Sequence, residues 1–162
     1  MKILSRTLLA AYILTLLWLV LFKFSFDLPG VLDYQQRSLN LVPFVDYFRG
    51  NVRETIDNFV VFIPFGLLLG VTYKQISFKR KLASILIFSL AVEAIQYALA
   101  IGTTDVTDII TNTLGGLFGL AIYGLAKRYA GDKWLDRIIV VIGSFLLVSL
   151  LLYRILVIHV RY

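Results

Sequence analysis

Cysteine is absent from this 162-residue chain, and histidine occurs once, as His159 near the C-terminus. Disulfides, thiolate metal sites and cysteine nucleophiles are thereby excluded. A metal site built from several histidines is excluded too, and nothing central is available to serve as the histidine of a Ser-His-Asp triad. Charge is also scarce. Charged residues make up 16% of the chain and hydrophobic ones 59%, where soluble domains carry about a quarter charged residues. No cofactor-binding pattern stands out, and the residue inventory offers no metal motif.

The apolar excess is packed into five runs long enough to cross a hydrocarbon core: residues 7–26, 56–73, 82–101, 106–126 and 138–160. A backbone in lipid must satisfy its own hydrogen bonds, so such runs form helices. They do not alternate as barrel strands would. Lys2 and Arg6 precede the first run as in a signal peptide, but the run is long and no small-x-small cleavage site follows, so it reads as a retained anchor. The expected fold is all-α: one polytopic domain over 1–162 with about five transmembrane helices.

The net charge of +6 does not point to nucleic acid, because the basic residues lie in short clusters between apolar runs. They set orientation instead. Lys2, Arg6, Lys74, Lys79, Arg80, Lys81, Lys127, Arg128, Lys133 and Arg137 fall on one side. Lys23, Arg37, Arg49, Arg53, Arg154 and Arg161 fall on the other. The ten-to-six imbalance predicts a cytoplasmic N-terminus and an outside C-terminus, with the longer first loop and the loop near residue 103 facing out.

Polar residues interrupt the runs in a pattern. Glu93 and Gln96 are i and i+3 on the third run, and so share a face. Asp108, Asn112, Gly115 and Gly119 share a face of the fourth. If residues 102–105 form a tight turn, Glu93 and Asn112 lie at nearly equal depth. Asp57 and Asn58 enter the second run from the same side, and Pro64 removes one backbone hydrogen bond there. An ionisable residue inside a membrane is a functional-site hypothesis by default. The plainer reading is that Glu93 and Gln96 staple helices together, and that Asp105 and Asp108 cap and complement a helix N-terminus. Gly115, Gly116 and Gly119 read as close-packing residues. Arg154 reads as a snorkelling side chain.

The first loop holds Asn40-Leu-Val-Pro43-Phe, followed by Arg49 and Arg53. It suits a short interfacial helix over the polar cluster. Arg49 and Arg53 are spaced i, i+4, as needed to grip an anionic head group; a solvated loop face fits equally.

These segments, together with Asn58-Phe-Val-Val-Phe-Ile-Pro-Phe-Gly66, Glu93-Ala-Ile-Gln96 and Asp105-Val-Thr-Asp108-Ile-Ile-Thr-Asn112-Thr-Leu-Gly-Gly116, resemble the VanZ-like family in order and spacing over about residues 40–120. Two departures stand out. Gly102-Thr103-Thr104 replaces an arginine that often precedes the aspartate segment, and Thr107 stands where a second acid is frequent. The resemblance implies a bacterial cytoplasmic-membrane protein associated with teicoplanin resistance. The expected partners are membrane lipids and a lipid-linked cell-wall precursor or lipoglycopeptide. The expected ligand-binding residues are Asn40, Pro43, Arg49, Arg53, Asn58, Pro64, Glu93, Gln96, Asp105, Asp108 and Asn112. The alternative is an intramembrane enzyme acting on a lipid-linked substrate with Glu93 as general base.

Overall fold

A computed structural model describes residues 1–22, 36–48, 50 and 52–161. Along the chain run α1 (Lys2–Leu21), β1 (Gln36–Asn40), α2 (Val45–Phe48), α3 (Val52–Thr72), α4 (Phe78–Leu99), β2 (Ile101–Asp105), α5 (Val106–Tyr129) and α6 (Asp132–Arg161). Five of these helices, α1, α3, α4, α5 and α6, are long and apolar enough to span a membrane. The helical multi-span architecture expected from hydropathy is therefore present. Most of the helices outrun their apolar runs, because a helix continues into the polar interface where its terminal groups meet water. Arg49 and the side chain of Arg154 lie outside the described residues.

The centre of the bundle is the α3–α5 pair, the most extensive helix contact. Glycine makes it possible. A Cβ on Gly115 would collide with the Phe59 carbonyl oxygen, one on Gly119 with that of Ile63, and one on Gly66 with that of Gly116. The two helices thus run parallel and touch backbone to backbone, the small-residue contact that replaces hydrophobic driving force in lipid. Gly116 in turn receives the Ile85 side chain of α4, whose nearest atom would stand 2.7 Å from an added Cβ. Around this pair pack Phe62, Phe65 and Phe88, with ring centroids 5.2–6.0 Å apart. α1 closes the core with Leu9, Leu16 and Val20. Its Tyr12 hydroxyl donates to the Val61 carbonyl at 2.6 Å, next to the Val60 carbonyl that loses its helix donor to Pro64.

α6 is held differently. Most of its apolar length is exposed, and Leu135, Val140 and Leu147 are its buried apolar residues among those described. Its first turn is fastened by a polar network at the end of the bundle where the basic loops lie. Lys74 meets Asp136 at 2.6 Å and Asp132 at 3.5 Å, Lys127 meets Asp132 at 3.2 Å, and the Tyr123 hydroxyl donates to Asp136 at 3.0 Å. Burial pulls the Lys74 pKa down, but the hydrogen bonds and charges of Asp136 and Tyr123 together outweigh it, and the value lies above that of an ordinary lysine. A raised lysine keeps its contribution at all pH below the unfolded value and loses it only as alkaline pH passes the folded one, so this clasp is intact through the neutral range. Asp136→Ala strands the Tyr123 hydroxyl and leaves Lys74 only its longer contact to Asp132. The expected cost is about 1–2 kcal/mol, read as a lower Tm of the purified protein. Asp132→Ala, at a half-exposed position where water screens its ion pairs, should leave Tm close to wild type.

At the opposite end, β1 and β2 form a two-stranded parallel sheet in which Asn40 pairs with Asp105. This strand pair adds to the all-α expectation, and it replaces the tight turn between α4 and α5. α4 ends on Ala100 in the left-handed conformation, φ 55°. β2 then folds back along α4, so that the Thr104 hydroxyl donates to the Glu93 carbonyl at 3.4 Å. Leu99 lies six residues beyond Glu93 on the helix, so α5 begins roughly 9 Å inside the end of α4.

Candidate functional site

That recessed start of α5 gathers the polar residues. Asp105 is its N-cap: one carboxylate oxygen accepts the Thr107 N–H at 2.7 Å. The other oxygen accepts from the Asn40 side-chain amide at 2.9 Å. Its own N–H donates to the Glu93 carboxylate at 3.1 Å. One residue thus joins α4, α5 and β1. An N-cap aspartate satisfies an otherwise orphaned helix donor, and the positive end of the helix dipole favours the neighbouring carboxylates. Glu93, Asp105 and Asp108 are all buried, at 2%, 7% and 5% exposure.

Asn40 also shapes the turn that follows it. Its side-chain oxygen accepts the Val42 N–H at 3.2 Å, a local turn that asparagine favours. Two residues on, Phe44 adopts φ 62° and donates its N–H to the Thr107 hydroxyl at 2.9 Å. The segment Asn40 to Phe44 is therefore docked onto the first turn of α5. Its apolar side chains point the other way: Leu39, Leu41 and Val42 are exposed, as is Phe48 of α2. Pro43 is exposed in the same turn.

Deeper in the bundle, the Asn112 amide donates to the Ser89 hydroxyl at 3.0 Å, and both side chains are fully buried. The equal depth expected for Glu93 and Asn112 is not found. Ile85 faces Gly116 and Ser89 faces Asn112, so the same register carried one turn further sets Glu93 opposite Asp108. The count from a symmetric turn fails because β2 folds back before α5 starts. Gln96 is buried on the shared face with Glu93 but reaches α1, donating to the Val20 carbonyl at 3.0 Å. Among the described residues, the side-chain oxygens of Gln96 and Asn112 have no hydrogen-bond partner.

The remaining expected residues lie on α3. Asn58 is buried on α3. Arg53 is exposed and pairs with Asp57 at 3.5 Å along its own helix, so this pair stands at the rim. Pro64 lines an apolar cavity facing α6. Three contributors escaped the sequence reading: Ser89, Thr107 and the backbone N–H of Phe44. Ser89 had a signal, since it lies four residues before Glu93 on the same helix face.

This constellation recurs in known sequences. A curated relative, Protein VanZ of Enterococcus faecium, is 56% identical over 153 residues, covering 94% of each chain. No solved structure matches. The VanZ/LLP1 family pattern covers residues 9–127, the stretch that holds Asn40, Glu93, Asp105 and Asn112 with the helices that bury them, and the chain is a multi-pass membrane protein belonging to that family.

Proposed function

We propose that this protein lowers susceptibility to teicoplanin-type lipoglycopeptides by binding an amphiphilic envelope molecule, a lipid-linked cell-wall precursor or the lipopeptide itself, at the recessed start of α5. The observation that carries this reading is the pairing of a polar chain, in which buried Glu93 and Asp105 lead to half-buried Asn40, with an exposed apolar turn beside it. Such a surface suits a ligand with a polar head and a hydrocarbon part. Non-helical backbone at membrane depth is found where it lines protein or a cavity, and intramembrane carboxylates are costly enough to imply use. The excess of lysine and arginine at the far end supports an orientation with this site outward, the side on which cell-wall-directed drugs act.

The test compares teicoplanin susceptibility of cells producing wild-type, Glu93→Gln and Asn112→Ala protein at matched membrane levels. Both variants should lose most of the protection. Full protection by both variants at normal levels would overturn the assignment of this site.

A further inference from the structure

The apolar cavity on the other face of the bundle is unrelated to the polar cluster. It measures about 460 Å³ and lies between α6 and the α1–α3–α5 core, within the size range of small-molecule sites. Its walls include Pro64, Leu68, Ala126, Ile139, Ile142 and Leu146. Its lining along α6 extends from Leu135 to Leu150, roughly 22 Å of helix at 1.5 Å per residue. That is longer than one leaflet of a hydrocarbon core, about half of 30 Å. The shape is a slot, not a compact chamber.

Two hydroxyls border it, those of Tyr12 and Tyr123, and both already donate elsewhere, to Val61 and Asp136. Water held in a protein needs two to four polar partners, and this lining offers little to it. Ile142 and Leu146 are wall residues and are also more than half exposed, at 52% and 58%. The slot is therefore continuous with the lipid-facing surface of α6. One end of it, at Ala126 and Leu135, adjoins the basic loops. There, among the described residues, Lys74 and Lys127 pair with Asp132 and Asp136, and Lys79, Arg80, Lys81, Arg128, Lys133 and Arg137 add further positive charge. A cluster of this kind next to a membrane span attracts anionic head groups.

We infer that the α6 slot binds one acyl chain of an anionic phospholipid, with its head group on the basic loops. The chain enters laterally from the bilayer, since α6 is clasped to the core at its first turn and covers the slot thinly beyond it.

The experiment uses the full chain in nanodiscs doped with phosphatidylglycerol carrying a photoreactive diazirine near the end of one acyl chain. Adducts mapped by peptide mass spectrometry should concentrate on Ile139 to Leu146 and on the facing wall at Pro64 and Leu68. Ala126→Trp and Leu146→Trp each fill the slot from one side. Each should reduce these adducts roughly tenfold while leaving labelling of the exposed α4 residues Ile87 and Leu90 unchanged. Even labelling of all lipid-facing helices, insensitive to both variants, would overturn the inference. So would equal slot labelling by a phosphatidylcholine probe, or a crosslinked dimer of the protein in place of the lipid adduct. Two variants on different helices keep the test decisive if one of them fails to fold.

Discussion

Gly119→Ala should cost about 3 kcal/mol or more, at the upper end of what overpacking does in a core. The added methyl meets the Ile63 carbonyl oxygen and approaches the Leu67 nitrogen. These are backbone atoms and cannot rotate away as a side-chain tip would, so α3 and α5 must separate along their whole contact. With total stabilities of about 5–15 kcal/mol, one methyl then removes a large share. The readout is thermal denaturation of the purified protein followed by size-exclusion chromatography. Gly66→Ala strikes the same interface from α3, against the Gly116 carbonyl. The double variant should lose less than the sum of the two, because one separation relieves both clashes. Gly124→Ala is the control. Nothing lies within 4 Å of its added Cβ, and its Tm should not fall. A Gly119→Ala protein as stable as wild type would mean that the helices are not in backbone contact.

Asp105→Ala should cost about 2–3 kcal/mol, combining a lost N-cap of about 1 kcal/mol with a lost charge-assisted bond to Asn40. The local consequence is larger than the global one. Without the Asn40–Asp105 bond, the turn from Asn40 to Phe44 is held mainly by the strand pairing and by the Thr107 hydroxyl. Hydrogen–deuterium exchange at residues 36–44 should therefore speed up well before the helices open. Asp105→Asn keeps the cap, since asparagine caps nearly as well, and should fall between wild type and alanine. In a double-mutant cycle, Asn40→Ala and Asp105→Ala should show a coupling of about 1 kcal/mol. Independent effects, or unchanged exchange in the turn, would show that the two residues do not hold it.

The five spans were legible because lipid imposes one rule on the backbone and one length on the helix. Glu93 and Gln96 on one buried face followed from three-residue spacing. Asp105 as a helix cap followed from its position before an apolar run. What stayed hidden depends on contacts distant in sequence. β1 and β2 are 65 residues apart in register, and neither five-residue segment shows the alternation that marks a half-buried strand. The local reading of residues 102–105 as a turn was reasonable, and it set Asn112 one turn too close to Glu93. The actual partner, Ser89, is a small hydroxyl that draws no notice among apolar neighbours until the helices are placed side by side.

The thin packing of α6 has a consequence for substitution. The α3–α5 seam is set atom by atom, since a single methyl separates the two helices. Most of α6 needs only to stay apolar, long and anchored where Asp132 and Asp136 hold it. Beyond Asp136, exchanging one large apolar residue for another should leave both the core and the clasp undisturbed.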